Sequence, residues 1–237
     1  MKIFPNIEII GLALYFDSVL VISDVHIGYE ESLNKQGILV PRIQFDEIIK
    51  RMENIFSILQ NKSIEKIIVN GDLKHEFGTI SEQEWRNTLK FLDLLAKHCD
   101  ETILIKGNHD SILGPIARKR NVKIVENIKI SNMLVLHGDK IPDKNILEGI
   151  STIIIGHEHP AISLKDGSKT EKYKCFLKGR YKGKNLIVQP SLNSMVQGTD
   201  ILKDEILSPF LKQNLDNFEV YIVEDKIYNF GKLKKLR

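Results

Sequence analysis

The sequence predicts an α/β domain in which a parallel sheet comes first and a second, mostly antiparallel sheet packs on it. Three observations carry that expectation. Up to residue 106 the apolar patterns run strand, helix, strand, helix, strand, which calls for a parallel sheet with helices on its face. After about residue 121 helical spacing almost vanishes, and short β-forming runs follow one another across polar turns. The chain of 237 residues, 42% hydrophobic and 27% charged, has the length and composition to bury a substantial core. With no internal repeat, low-complexity tract or Gly/Ser/Pro-rich linker, one domain over residues 1–237 is expected.

The elements follow in order. The first 23 residues read as two or three strands: Gly11 separates Ile7–Ile10 from Leu12–Phe16, and Asp17-Ser18 turns the chain into Val19–Ser23. Between 44 and 60 an apolar stripe of Phe45, Ile48, Ile49, Met52, Ile55, Phe56 and Leu59 has helical spacing, with Pro41 just upstream. Ser81-Glu82-Gln83-Glu84 has the pattern of a capping box, with the Ser81 hydroxyl on the first-turn amides and Glu84 reaching back. The helix it opens turns Trp85, Leu89, Leu92, Leu95 and Ala96 inward and ends near His98, whose charge suits a helix end. Later strands are expected at 122–125, 127–131, 133–137, 152–155, 161–164, 172–177, 184–188, 218–223 and 226–230.

A formal net charge of +3 is compatible with a phosphate-bearing partner without demanding one. Eight Lys or Arg residues fall between Lys165 and Lys184, a pattern more typical of a solvated hairpin than of a recognition surface. Residues 232–237 read as a frayed basic tail. Cys99 and Cys175 stand apart, with no CxxC pair, and read as reduced thiols packed in an intracellular protein. No run approaches the roughly 18 apolar residues of a membrane span. Glu8 and Asp17 interrupt the first apolar segment, which argues against a signal core, so a cytoplasmic location is expected.

The chemistry lies in five motifs, each placed directly after a β-forming run and together holding six of the seven histidines. Val19–Ser23 delivers Asp24-Val25-His26, and Lys66–Asn70 delivers Gly71-Asp72-Leu73-Lys74-His75. Thr102–Lys106 delivers Gly107-Asn108-His109-Asp110, Met133–Leu136 delivers His137-Gly138-Asp139, and Thr152–Ile155 delivers Gly156-His157-Glu158-His159. A single Asp-x-His pair could be an ion pair at a strand end. Five groups in one structural context gather metal-binding side chains at the carboxyl edge of a sheet, where ligands bind in α/β folds.

These motifs resemble the site of the calcineurin-like metallophosphoesterases. The stretch Ser23–Glu31 with Gln36-Gly37, Ser191–Asn193 and Gly198–Asp200 is similar, more narrowly, to the archaeal and DNA-ligase-associated branch. The resemblance implies a four-layer α/β/β/α sandwich of two mixed sheets with two divalent metals at one end. It assigns Asp24, His26 and His159 to one metal, Asn108, His137 and His157 to the other, and the Asp72 carboxylate to both. It makes His109 an unliganded catalytic imidazole oriented by Asp110, and it favours Mn²⁺, with Fe²⁺ and Zn²⁺ also suited to mixed nitrogen and oxygen donors.

The chemistry is consistent with these roles. Two ions roughly 3.5–4 Å apart can share a carboxylate and an activated hydroxide, which attacks phosphorus in line with the leaving group. An imidazole has one lone pair to give, so the shared ligand should be Asp72 and not His75. A general acid such as His109 adds roughly 10²–10⁴-fold by protonating the leaving alkoxide.

Where many members of the family carry a second aspartate, this chain has His75, either a substrate contact or a residue with no catalytic part. Asp139 could orient His137, and Glu158 is expected to point away. Asn193 is a candidate substrate contact if loop 189–200 folds over the metals; an ordinary polar turn is the alternative. Loops 27–43, 73–81, 111–120 and 189–200 are expected to wall the site.

The reading is therefore a metal-dependent phosphoester hydrolase, favouring phosphodiesters of nucleotides or nucleic acids because a general acid helps poor leaving groups most. Phosphomonoesters of small molecules or phosphoproteins are the alternative. A non-catalytic scaffold is disfavoured because no ligand position is empty. No nucleotide-binding glycine loop and no aromatic-rich basic stripe is visible along the sequence.

Overall fold

Short runs of β-branched and aromatic residues between tight turns fold the N-terminus into an antiparallel meander. It comprises β1 (Lys2–Phe4), β2 (Ile7–Ile10), β3 (Ala13–Phe16) and β4 (Val19–Ser23). The structure, a computed structural model, describes residues 1–76, 80–110 and 113–236, Asp166 by its backbone alone. Helices α1 (Tyr29–Lys35) and α2 (Gln44–Ile58) lead to β5 (Lys66–Asn70), and α3 (Glu82–Leu95) to β6 (Glu101–Ile105). Helix α4 (Gly114–Arg120) and β7 (Lys123–Val125) complete a seven-stranded sheet in the order β1 to β7, parallel from β4 onward.

The second sheet begins with β8 (Asn127–Ile130), β9 (Met133–Leu136), β10 (Thr152–Ile155) and β11 (Pro160–Asp166). It continues through β12 (Lys169–Tyr181), β13 (Lys184–Val188), β14 (Thr199–Asp200), β15 (Glu219–Val223) and β16 (Ile227–Lys232). Its order is β14-β11-β12-β13-β10-β9-β8, with β15 paired to β12 and β16 to β15. Strands β9, β10 and β13 run parallel in an otherwise largely antiparallel sheet.

Period-two alternation sorts the apolar side chains into three layers. Leu20, Ile22, Ile67, Val69 and Leu104 face the helices, meeting Ile48 and Met52 of α2, Phe91 and Leu92 of α3, and Ile116 of α4. Their neighbours Val19, Val21, Ile68 and Ile103 turn the other way, onto Met133, Val135, Ile154, Phe176 and Ile187 of the second sheet. The outer face of that sheet, with Leu134, Ile153, Cys175 and Leu186, is covered by Phe210, Leu211, Leu215 and Phe218. These are the two mixed sheets and helices of the expected α/β architecture.

The fourth layer is thin. Among the described residues it consists of the connection before β15 and the 3₁₀ turns Lys144–Leu147 and Leu233–Lys235, because the β9–β10 crossover has no helical apolar repeat to form more. Helices α1 and α4 go beyond what the sequence predicts. Each is seven residues long, and α1 buries Glu30 and Ser32 instead of an apolar stripe, so neither displays a period. No described helix is long and apolar enough to cross a membrane.

Phe176 is fully buried between the sheets. Phe176→Ala is expected to lower unfolding stability by about 3–5 kcal/mol in a denaturant titration, with an unchanged slope.

Candidate metal centre

All five motifs emerge at one edge, where the parallel strands β4, β5 and β6 of one sheet and β9 and β10 of the other end together. Pairing continues past the strand ends and fixes the loops. Asp24 N donates to Gly71 O, His26 N to Asp72 O, Ile27 N to Leu73 O and His75 N to Ile27 O, zipping the first motif onto the second. Gly156 N donates to His137 O, joining the fourth to the fifth.

Five of the seven expected ligands sit in the left-handed region: Asp24, His26, Asp72, His157 and His159, with φ between 47° and 64°. Aspartate and histidine are among the side chains that tolerate this conformation, which costs of order 1–3 kcal/mol per residue. These residues turn the chain just past the strand ends, where Asp24 meets His159 and Asp72 meets His137. Space is equally tight: a Cβ on Gly71 would collide with His137 Nδ1, and one on Gly107 with Asp72 Oδ1.

Two donor clusters result. In one, Asp24, His26 and His159 bring ligand atoms within 4.8 Å of one another; in the other, Asp72, His137 and His157 do so. His159 Nε2 is 3.0 Å from Asp24 Oδ1 and 3.3 Å from His26 Nε2. His157 Nδ1 is 3.2 Å from His137 Nε2, which lies 3.0 Å from Asn108 Oδ1. Asp72 Oδ2 stands between the clusters, 3.7 Å from His26 Nε2 and 3.4 Å from His137 Nε2. Its Oδ1 accepts from His109 N at 2.9 Å.

His109 is placed beside this pair and outside both clusters. Its Nδ1 meets the carbonyl of His75 at 2.6 Å, and a carbonyl only accepts, so Nδ1 carries a proton there. Nε2 is then turned toward the cavity, 4.0 Å from Asp72 Oδ2. Asp110, expected to orient this ring, spends its carboxylate on the amides of Gly107, Leu73 and Lys74. The orienting group is the backbone of the second motif. Lys74, fully buried, locks the same contact: its Nζ donates to His109 O at 2.7 Å and to Glu76 O.

His75 also reaches the site. Its ring faces His109 and Tyr29, and His26, His75 and His109 form a third group with close ligand atoms, competing for His26. Its amide donates to Glu84 Oε1. The capping box therefore forms by half: Ser81 accepts from Glu84 N, while the Glu84 carboxylate serves the amides of His75 and Glu76.

Asn193 is wholly buried and reaches the site from behind. Its amide donates to His26 O, which also accepts from Gln44 Nε2, and its carbonyl accepts from Met195 N. Ser191 Oγ donates to Asp24 O, and Lys174 Nζ donates to Ser191 O and Asn193 O. Glu158 turns outward to the amides of Leu207 and Ser208. The Nδ1 of His137 faces Asn70 O at 3.4 Å, so a carbonyl takes the place that the sequence offers to Asp139. His98 stacks on Phe56, away from the site. Loop positions 77–79 and 111–112 lie outside the described residues.

The electrostatics suit cations. Burial alone would keep the His137 ring neutral, but Asp72 and Asp24 outweigh it and push the ring up to about 9. Burial would also favour a protonated Asp24; His159, His137 and His26 hold it below its ordinary range. Burial, then the His109 charge, pushes His75 down to about 4, so it is neutral at pH 7. Burial and the Asp72 charge push the Asp110 carboxyl up to about 6. Asp24 Oδ1 is buried and accepts no well-formed hydrogen bond. A fully buried carboxylate oxygen, flanked by imidazoles that can each give a lone pair, fits a divalent cation.

Over residues 18–214 the sequence matches the calcineurin-like phosphoesterases. The chain belongs to that family. It is accordingly a metal-dependent phosphoester hydrolase. The fold is shared with the nuclease MPE of Pseudomonas putida, at 17% identity and a TM-score of 0.64 over 92% of this chain and 91% of that one. Weaker similarity extends to AQ665 of Aquifex aeolicus, a protein of unknown function, at 20% identity and a TM-score of 0.38 over 60% of this chain and 78% of that one. Vps29 of Entamoeba histolytica, crystallised with zinc, is 17% identical with a TM-score of 0.37, over 90% of this chain and 98% of that one. No curated protein sequence matches significantly.

A metal-bound imidazole must be neutral, whereas metal-free His137 is protonated below about 9. Metal uptake at pH 7 should therefore expel about one proton, and affinity should rise with pH until that value is passed. Calorimetry in buffers of different ionisation enthalpy measures the proton; uptake without release would contradict the account.

Proposed function

We propose that this phosphoesterase is dinuclear and hydrolyses phosphodiesters of nucleotides or nucleic acids, with His109 as general acid. The observation that carries the reading is the position of Asp72 Oδ2 between two separate donor clusters, with His109 Nε2 directed to the same space. Asp24, His26 and His159 would hold one cation and Asn108, His137 and His157 the other, with Asp72 shared. Two divalent ions bound there supply an activated water and neutralise charge on the phosphoryl oxygens.

The rest falls to side chains. In its cationic form the His109 ring keeps one proton on the His75 carbonyl and offers the other, on Nε2, to the departing oxygen. Lys74 holds the loop that aims it. His75, neutral at pH 7, has no charge to grip a phosphate; its ring instead shapes the wall beside His109. Asn193 is read as a positioning group behind His26, since its polar atoms are spent on backbone partners. Mn²⁺ is the favoured metal on the family resemblance, with Fe²⁺ and Zn²⁺ also suited to the ligand set, within the archaeal and DNA-ligase-associated branch suggested by the motifs. Two dispersed thiols fit a cytoplasmic setting.

Diesters are favoured over monoesters because a general acid matters most for alkoxide leaving groups. His109→Gln should slow cleavage of an alkyl ester by about 10²–10⁴-fold, with a much smaller loss on a p-nitrophenyl diester. Equal losses on both would remove the general-acid role. Asp72→Asn should abolish turnover of either substrate while circular dichroism stays unchanged; wild-type rates in that variant would end the dinuclear reading.

A further inference from the structure

The basic segment at 165–184 is a poor polyanion surface, because four of its eight cations are already engaged within the fold. Lys174 and Lys184 donate to backbone carbonyls, and Lys172 and Lys178 pair with Asp204 and Glu219. A different surface assembles from residues far apart in sequence. Between α3 and α4 lies an open cleft of about 540 Å³. Its floor is apolar, built from Ile80, Trp85 and Leu89, which are only half-buried against the helix-side core.

Cations surround that floor. Arg86 and Lys90 stand exposed on α3, one turn apart, and Arg120 closes the cleft from α4. Lys119, also on α4, lies over the Trp85 ring with its Nζ 5.2 Å from the centroid. Four cations thus meet two carboxylates, Glu82 and Asp93, of which Asp93 is paired with Arg120 at 2.9 Å. The remainder is net positive.

The cleft lies along the helix whose first turn touches the loop of the second motif. Glu84, the neighbour of Trp85, contacts the amides of His75 and Glu76 through its carboxylate. From Glu84 to Lys90 the helix climbs about 9 Å away from that contact.

We infer that this cleft receives the part of a single-stranded nucleic acid that extends beyond the scissile phosphate, with bases against Trp85 and phosphates on Arg86, Lys90 and Lys119. The inference deepens the phosphodiesterase reading and rests on it. An apolar ligand would leave the cations without partners, and a lone phosphate would leave the aromatic floor bare. An oligonucleotide matches both, since single strands combine stacking on aromatic rings with ionic contacts to the backbone. Because the cleft leads away from the reacting edge, it acts on binding and not on the chemical step.

The test compares a mixed-sequence single-stranded DNA oligonucleotide with bis(p-nitrophenyl) phosphate, which is too small to reach the cleft. Trp85→Ala should raise KM for the oligonucleotide about tenfold. Trp85→Phe should restore most of that loss. Arg86→Ala with Lys90→Ala, at exposed positions where folding is not at stake, should raise KM and flatten its salt dependence. The logarithmic slope should fall by about 0.7 for each phosphate that is no longer neutralised. Hydrolysis of the small diester should stay within about twofold of wild type in every variant, well below the expected oligonucleotide effect. If wild type cleaves the oligonucleotide and the variants match it in KM and salt slope, the cleft is overturned while the diesterase reading stands. If wild type cleaves the small diester but no oligonucleotide, the nucleic-acid reading itself falls, and the cleft with it.

Discussion

Two buried carboxylates, Asp24 and Asp72, set the terms for everything around them. Each is nearly free of solvent, and among the described residues each has imidazoles, not a lysine or arginine, as its ion-pair partners. Burying a bare carboxylate costs several kcal/mol even after relaxation. Without metal, the charge is met by drawing a proton onto His137, the most strongly buried ring of the group. Divalent ions held there would replace that proton with greater charge and direct bonds. The edge of the sandwich is thus arranged for cations before any substrate arrives.

Holding those carboxylates in place takes most of the surrounding structure. The left-handed residues that aim Asp24, His26, Asp72, His157 and His159 are kept by the zipped loops on one side and by the 189–193 segment on the other. That segment is tied to the first sheet by Leu192 N on Ser23 O and Gln189 Nε2 on Val21 O, and to the second by Gln189 N on Ile155 O. Burial, reinforced by Arg51, pushes the Lys174 amine that anchors it down to about 7. Lys74 performs the matching task for the His109 loop. The two lysines therefore act as backbone clamps, each donating to two carbonyls.

The strands and motifs were legible in the sequence because both have local signatures: β-branched runs, and metal-binding residues directly after them. The site's convergence was legible only through the repetition of that context. What stayed hidden depends on tertiary contact. The helices Tyr29–Lys35 and Gly114–Arg120 are too short to show a period. Nothing local signals that Glu84 leaves its capping role for the amides of His75 and Glu76, or that a carbonyl and not Asp110 orients His109. The cleft pairs Trp85 with Lys119, separated by 34 positions, which no linear stripe of aromatic and basic residues could reveal.

The proposed mechanism reduces to one proposition: two cations share Asp72. Anomalous diffraction from crystals soaked in Mn²⁺ tests it most directly. The account predicts two peaks roughly 3.5–4 Å apart, with an Asp72 oxygen between them and His109 bound to neither. A single peak held by His26, His75 and His109, or peaks that leave Asp72 uncoordinated, would contradict it.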